Sequence, residues 1–202
     1  MKTNINKFEN DWIDIKNKCR TTVNKDHTDN IPNTEFKTKL LISEHSPCRL
    51  LKVNWIWKSI KSWVATHWSR HKWECFIGTQ RTDRTGINRD EETQGSLITF
   101  EGEANAQNLI DTFRKRLCYQ SSPETRELAE DFKKTIKDTE HELSDVLVPN
   151  CIYRCGCPEF TECGYWTRFK NVYTKGELSD ISMRYEIYND CFHKSVTKKF
   201  DI

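Results

Sequence analysis

The stretch from residue 63 to residue 84 combines two histidines with a dense group of cations. Five Arg or Lys residues lie between positions 70 and 89, against two acidic residues before Asp90. The five cations are Arg70, Lys72, Arg81, Arg84 and Arg89. Guanidinium groups bind phosphates in a planar fork, and imidazoles add hydrogen-bond donors and acceptors at neutral pH. The segment therefore predicts a local cationic pocket, which suits an anionic, planar ligand such as a nucleotide.

A helix end, a short strand and a glycine loop are expected to carry these side chains. Ser62 suits the N-cap of a helix. The residues that follow at the spacing of one helical face are Val64, His67, Trp68 and His71. Both histidines then lie within one turn of Arg70. Residues 73–77 are rich in strand-forming side chains, and residues 78–81 form the loop that ends this strand.

The spacing of these groups resembles the signature of the flavin-dependent thymidylate synthases. Arg70-His71-Lys72 is followed after six residues by Thr79-Gln80-Arg81. The family signature is Arg-His-Arg, seven residues, then Ser-x-Arg. The resemblance implies an enzyme that makes dTMP from dUMP with FAD.

Three further segments resemble the same family, in the same order along the chain. His45-Ser46-Pro47 is similar to the His-x-(Thr/Ser)-Pro element of the flavin site. Upstream of it, residues 19–22 and 36–41 resemble the Ala-Arg-Val-Ser strand and the short helix that follows it. Downstream, residues 148–154 resemble the Leu-Pro segment and the arginine that reaches dUMP. Together the four segments cover most of residues 19–154.

The resemblance implies a role for each matching residue. The group expected to bind the flavin and its phosphates consists of His45, Ser46, Arg70, His71 and Lys72. The group expected to bind dUMP consists of His67, Thr79, Gln80, Arg81 and Arg154. Among these, Arg70, His71 and Arg154 are the expected catalytic residues. His67 stands where the family has a glutamine that touches dUMP.

The family chemistry also implies co-substrates and an assembly. Methylenetetrahydrofolate supplies the carbon, NADPH reduces the flavin, and the cofactor carries the difficult step. Arg154 would reach the nucleotide from a neighbouring subunit, because the resemblance implies a homotetramer with active sites between subunits. The sequence differs from the signature at Lys72, which lacks the planar fork of an arginine, and in a spacer that is one residue shorter.

Two other functions are compatible with these residues. The first is a non-catalytic relative of the same fold that binds a nucleotide or is stabilised by zinc. The second is a nucleic-acid-binding module, which rests on the basic segment and its aromatic neighbours. The net charge of only +2 ranks nucleic-acid binding last, because such proteins usually carry a strongly basic surface.

Four cysteines lie close together in the segment 151–164, which reads as a Cys-rich insertion. They are Cys151, Cys155, Cys157 and Cys163. Four thiolates can hold a tetrahedral zinc ion, although this spacing is not the usual pair of C-x2-C motifs. The alternative is a set of buried or partly oxidised thiols.

Length and composition predict one globular domain that spans residues 1–202, and the family resemblance implies that its fold class is α+β. No apolar run reaches the length of a membrane span, and residues 1–4 lack the start of a signal peptide, so a cytoplasmic location is expected. The family resemblance implies a central, mostly antiparallel twisted sheet flanked by helices. Residues 1–18 are expected to dock loosely, and residues 194–202 to form a frayed tail.

Periodicity predicts the remaining elements. Helices are expected at 35–43, 104–119, 123–141 and 178–192, and strands at 21–23 and 49–58. Residues 24–33 are expected to form a loop, and residues 85–103 an excursion with a short strand at 97–100. On the helix at 104–119, Arg114, Lys115 and Arg116 are expected to form a solvated face.

Overall fold

The computed structural model describes residues 2–195, with side chains described as far as residue 192. Its centre is a four-stranded antiparallel sheet with the order β1-β2-β4-β3. The strands are β1 Thr3–Glu9, β2 Lys52–Lys61, β3 Glu74–Ile77 and β4 Leu97–Asn105. The α+β class with an antiparallel sheet flanked by helices is thereby confirmed.

Helices surround this sheet in the described part of the chain. The helices are α1 Trp12–Thr21, α2 Thr34–Ile42, α3 Ser62–Ser69, α4 Thr82–Thr85, α5 Ala106–Arg116, α6 Pro123–Lys137, α7 His141–Val146, α8 Asn150–Arg154, α9 Tyr165–Lys170, α10 Lys175–Ser179 and α11 Ile181–Ser195. Short 3-10 turns lie at Ser46–Leu50 and Arg89–Glu91. Helix α6 starts with Pro123 in its first turn, as expected where a backbone N–H has no partner.

The core lies on the face of β2 that carries its tryptophans. Val53, Trp55 and Trp57 are fully buried, whereas Lys52 and Lys58 point to the exposed face, because side chains alternate along a strand. Trp55 packs edge-on against Phe132 of α6 at 5.2 Å between ring centroids. Gly102 lies opposite Trp55 on β4, and a Cβ there would meet the indole ring at 2.4 Å. The bare backbone at Gly102 therefore leaves room for the indole of Trp55.

A bulge interrupts β2 just before α3. The register between β2 and β4 shifts between Trp57 and Ile60, and Ser59 takes a positive φ of 56°. Lys58 and Ser59 are both exposed, and Ile60 returns to the core. The extra residue therefore restores the buried side of the strand before the chain enters α3.

Several predicted elements are confirmed. The helix predicted at 35–43 is α2, the strand at 49–58 is β2, and the strand at 73–77 is β3. The helices predicted at 104–119, 123–141 and 178–192 are α5, α6 and the greater part of α11. Residues 24–33 form a loop without helix or strand, as expected.

Three expectations are wrong. The N-terminal segment is not loosely docked: β1 pairs with β2, and Trp12 and Ile15 of α1 are buried. Residues 21–23 do not form a strand, because α1 extends to Thr21 and a turn follows. The strand in the excursion is not short: β4 has 9 residues and lies between β2 and β3.

Most of the tail expected at 194–202 lies outside the described residues, and α11 extends to Ser195. Within residues 2–195, every helix is too short or too polar to cross a membrane.

Candidate functional site

The histidine segment lies where α3 ends. Val64, Ala65 and Trp68 are buried, and His67 lies half-buried on the side of the helix. The helix stops at Ser69, and the Trp73 indole N–H donates to the Trp68 carbonyl at 3.0 Å. The Trp68 carbonyl also accepts from backbone N–H groups of the turn that follows, so Trp73 adds a further donor at the C-terminus of α3. His71 lies in the turn after α3, so the prediction of one continuous helix through His71 is wrong.

Two tryptophans hold the His71 imidazole. The ring lies edge-on to Trp73 at 5.2 Å and to Trp68 at 6.2 Å between centroids. The two indoles stack on each other at 5.8 Å with an angle of 16° between their planes. Asn108 of α5 donates to the Lys72 carbonyl, which fixes the turn against the sheet side of α5. The imidazole therefore sits in a rigid, largely aromatic frame.

Arg116, at the end of α5, contacts both histidines. Its Nε donates to His71 Nε2 at 2.8 Å, and its Nη2 donates to the His67 carbonyl at 2.7 Å. A guanidinium only donates, so His71 Nε2 must be an unprotonated acceptor and the ring proton lies on Nδ1. Burial, then Arg116 and Lys115, lower the pKa of His71 to about 4. His71 is therefore neutral at physiological pH.

A chain of hydroxyl groups orients His67. The Ser122 hydroxyl donates to Thr125 Oγ1 at 2.8 Å, and Thr125 Oγ1 lies 3.1 Å from His67 Nδ1. Since Thr125 accepts from Ser122, its own proton is available to His67 Nδ1, which leaves the ring N–H on Nε2. Burial, followed by Arg116 and Arg70, lowers the pKa of His67. His67 is therefore a neutral side chain with one free N–H donor.

Four cations surround the two histidines without an acidic partner. They are Arg70, Lys72, Lys115 and Arg116. None of them takes part in an ion pair among the described residues. Arg70, Lys72 and Lys115 are exposed, and Arg116 is half-buried. The group thus carries a net positive charge that an anionic ligand would balance.

The segment with His45 and Ser46 docks on a neighbouring face of α5. Both residues are exposed at the start of the 3-10 turn Ser46–Leu50. The preceding residue, Glu44, forms an ion pair with Arg114 and accepts a hydrogen bond from Gln107, both on α5. Helix α5 therefore contacts both segments that are expected to bind flavin. Gln107 and Arg114 contact Glu44, and Asn108 and Arg116 contact the turn that carries His71.

Thr79, Gln80 and Arg81 lie at the opposite end of β3 from His71. Four strand residues separate the two groups, roughly 13 Å at about 3.3 Å per residue. Arg81 is exposed, and its guanidinium forks onto Asp83 at 2.7 and 3.0 Å. In one protomer the structure does not bring residues 79–81 together with the histidines.

A shallow depression of about 250 Å³ lies beside Thr79 and Gln80. Its lining comes from the β2 bulge, the loop after β3 and the start of β4: Ser59, Gly78, Thr79, Gln80, Ile87, Glu92, Leu97, Ile98 and Thr99. The lining has one acidic residue, Glu92, and no cation. Because ligand pockets usually hold about 300–1,000 Å³, the depression is too small to enclose a nucleotide alone.

Arg154 ends α8 and is exposed. Its Nε donates to Asn150 Oδ1 at 3.1 Å, one turn back in the same helix. The neighbouring Tyr153 ring lies under the Arg114 guanidinium at 3.5 Å, so α8 packs beside the Glu44 side of α5. The exposed guanidinium of Arg154 can therefore contact a ligand or a second subunit.

The structure does not show the zinc site that the four cysteines predict. Cys155 ends α8 with a positive φ of 54°, and its thiol lies 3.4 Å from the Leu178 carbonyl. Burial, followed by the neighbouring thiols, raises the pKa of Cys151 to about 12. Among residues 2–195 no three His, Cys, Asp or Glu side chains are placed to hold a metal ion. Cys151, Cys155, Cys157 and Cys163 are free cysteines.

Sequence reasoning missed Arg114 and Arg116 as functional candidates, because the basic triplet was expected to be solvated. The Arg114 side chain is only 12% exposed, and only Lys115 of the three fully faces solvent. The available signal was their position: Arg114 and Arg116 directly flank Phe113 and Leu117 of the buried stripe. Side chains beside such a stripe lie at the edge of the packed face, where neighbouring elements reach them.

Comparison with known proteins gives structural likeness only. No protein-family model and no curated protein sequence matches this chain. A crystal structure of the flavin-dependent thymidylate synthase ThyX from Helicobacter pylori, complexed with FAD and dUMP, is similar with a TM-score of 0.61 and 12% identity over 73% of this chain and 100% of that chain. The UMP/dUMP methylase PolB from Streptomyces cacaoi, bound with 5-Br dUMP, is similar with a TM-score of 0.56 and 11% identity over 71% of this chain and 93% of that one. At these identities the likeness shows that this chain has the fold of these proteins.

Proposed function

We propose that this protein is a flavin-dependent enzyme of the thymidylate synthase type, which converts dUMP to dTMP by reductive methylation. The observation that supports it best is the group of unpaired cations around two neutral histidines. This group lies on a fold shared with proteins whose structures hold FAD and dUMP. It also coincides with the Arg70-His71-Lys72 segment that resembles the family signature.

The side chains present fit a flavin dinucleotide. Arg70 and Lys72 offer exposed positive charge to a diphosphate, and no described acid neutralises them. The His45-Ser46 segment sits on the adjoining face of α5 and would contact the same ligand. When bound, FAD would carry hydride from NADPH to the carbon that methylenetetrahydrofolate provides.

The protein's own groups would position the nucleotide. His67 presents an Nε2–H donor in a tautomer that Thr125 fixes, which suits a pyrimidine carbonyl. We assign the dUMP phosphate to Thr79, Gln80 and Arg81, with Arg154 as a further contact. Because residues 79–81 lie at the far end of β3, they would meet the histidine group of another copy of the chain. A homotetramer with shared active sites is the assembly that we propose.

The test is a spectrum and an assay of the purified protein. We expect a visible flavin absorbance, or its appearance on loading with FAD, and NADPH oxidation that depends on dUMP and methylenetetrahydrofolate. Lys72→Gln should weaken FAD binding roughly tenfold, because it removes a charge-assisted contact. Lys170→Gln, an exposed lysine of α9, is the matched control and should bind FAD as the wild type does.

A colourless protein that cannot be loaded with FAD would contradict the proposal. Equal effects of Lys72→Gln and Lys170→Gln on FAD affinity would contradict the assignment of the turn with Arg70, His71 and Lys72 to the flavin site.

The second candidate is a nucleotide-binding relative that has lost the chemistry. It is favoured by Lys72 in place of an arginine and by Asp83, which occupies the fork of Arg81. This candidate predicts saturable dUMP binding without turnover, so the same assay separates the two.

A further inference from the structure

Arg116 and its neighbour Lys115 are the two cations of this group that the family signature does not include. Arg116 comes from α5, not from the turn after α3, yet it holds both histidines. Two of its three nitrogens are used, Nε on His71 and Nη2 on the His67 carbonyl. The third nitrogen, Nη1, makes no described hydrogen bond and is not among the buried polar atoms without a partner. Nη1 therefore faces accessible space.

The charge of Arg116 has no acidic counterpart among the side chains described, residues 2–192. Both of its acceptors are neutral, an imidazole nitrogen and a backbone carbonyl. Burial, followed by the nearby charge of Arg70, lowers the pKa of Arg116. Arg114, two residues earlier, shows the usual solution, since it pairs with the Glu44 carboxylate. A half-buried cation next to other cations is costly unless an anion completes the site.

The aromatic side chains around His71 fix the imidazole that orients the Arg116 guanidinium. The imidazole lies edge-on to the stacked pair Trp68 and Trp73 and offers Nε2 as an acceptor. Its neutral state, with a pKa lowered to about 4, suits an acceptor from Arg116 better than a direct ligand of an anion. The direction of the guanidinium fork is thereby fixed before any ligand arrives, which reduces the ordering cost of binding.

We infer that Arg116 binds a phosphate group of the ligand through its open edge, with Arg70 and Lys115 beside it, and that His71 is the positioning residue for Arg116. The ligand class is a phosphate ester or diphosphate, because Nη1 and the second hydrogen of Nη2 can together donate to two phosphate oxygens. The inference rests on the proposed function only for the source of the phosphate, which is either FAD or dUMP.

The first experiment measures the affinity of the full-length protein for pyrophosphate, FAD and dUMP by calorimetry. Arg116→Gln should weaken pyrophosphate binding tenfold or more, since the loss of one charged bidentate contact is worth about 1.5–3 kcal/mol. Arg168→Gln, which removes an exposed arginine of α9, is the control and should change affinity less than twofold. Arg116→Lys keeps the charge without the fork and should lie between the two.

The second experiment tests the positioning role with two amide variants of His71. A glutamine at position 71 places an amide oxygen near the position of Nε2, whereas an asparagine reaches only the position of Nδ1. His71→Gln should therefore keep pyrophosphate affinity close to that of the wild type, and His71→Asn should lose most of what Arg116→Gln loses. A purely structural role would not separate these two variants, provided that both show a cooperative thermal transition.

The results separate this inference from the proposed function. Folded Arg116→Gln and Arg116→Lys variants that bind pyrophosphate like the wild type would overturn the anion site, even if the enzyme is active. Weaker pyrophosphate binding by Arg116→Gln, together with a wild type that does not oxidise NADPH, would support the anion site and contradict the proposed function. Weaker binding of FAD alone, or of dUMP alone, would identify which ligand supplies the phosphate. Equal affinities of His71→Gln and His71→Asn would overturn the role of His71.

Discussion

Lys133 and Arg116 are two basic residues that form no ion pair with a carboxylate of the described residues, and they differ in what surrounds them. Lys133 of α6 is fully buried, and its Nζ donates to the Ser144 carbonyl and, at 2.7 Å, to Asn189 Oδ1. Asn189 is held in turn by the Asp145 carbonyl at 2.9 Å. Arg116 is half-buried and keeps one nitrogen open beside Arg70 and Lys115.

The difference teaches how position assigns a role to a cation. Lys133 joins α6, α7 and α11 through oxygen acceptors that belong to the fold, so its bonds stabilise packing. Arg116 uses its bonds to fix its own direction and leaves a donor edge for a ligand. We therefore expect changes at Lys133 to affect folding and changes at Arg116 to affect binding.

The largest effect is expected from Lys133→Ala. This change empties a buried site, leaves Asn189 Oδ1 without its donor and removes one of two donors to the Ser144 carbonyl, which should lower the free energy of unfolding by about 3–5 kcal/mol. Arg116→Gln should lower it by less than about 1 kcal/mol, because solvent reaches the site. Urea unfolding of the two variants beside the wild type measures both. Equal losses of unfolding free energy in the two variants would contradict the different roles assigned to Lys133 and Arg116.

Lys133→Met is the control for charge. Burial lowers the pKa of Lys133 from its ordinary value to about 7, so the unfolded chain binds this proton more tightly than the folded one. The contribution of Lys133 to stability should therefore fall as pH is lowered from 10.5 towards 7. The difference in the free energy of unfolding between the wild type and Lys133→Met, measured by urea unfolding at each pH, should decrease in this way.

An intermediate effect is expected from Arg114→Ala. This change breaks the ion pair with Glu44 that joins α5 to the turn before Ser46, and both side chains are less than one-fifth exposed. The free energy of unfolding should fall by about 2 kcal/mol, between the values of exposed and buried pairs. A double-mutant cycle with Glu44→Gln measures the coupling. A coupling energy near zero would show that the ion pair with Glu44 does not stabilise the fold, and the contrast between a paired Arg114 and an unpaired Arg116 would then fail.

The effect of protonating His71 on stability is expected only at acid pH. Its pKa is lowered to about 4 by burial, then by Arg116 and Lys115, so the folded protein takes up this proton at lower pH than the unfolded chain. The contribution of His71 to stability is full above pH 6.5 and should decline as pH falls towards 4. Urea midpoints of the wild type and His71→Gln between pH 7 and pH 4 should converge. A constant difference would show that the ring is not held neutral.

Local patterns predicted the elements that carry their own signal. Alternation around Trp55 and Trp57 marked β2, and the 3.6-residue stripe with Ser122 and Pro123 marked α6. The strand β1 lacked such a signal, because polar residues dominate an edge strand that is held by its neighbour. The central position of β4 depends on pairing with residues that are distant in sequence, which no local window shows.

The candidate site was predictable in part for the same reason. The histidines and Arg70 are close in sequence, so their clustering followed from spacing. The bond from Arg116 to His71 spans 45 residues and depends on how α5 packs against the turn after α3. Periodicity located the buried stripe of α5 but gave no information about which element covers its edges.

The bulge at Ser59 determines which side chains at the end of β2 face the core. Deleting one residue between Trp57 and Ile60 would invert the inward and outward assignment of everything that follows in the strand, and α3 would leave from the wrong side of the sheet. The positions of the two histidines and of Trp68 and Trp73 therefore depend on one inserted serine that contacts none of them.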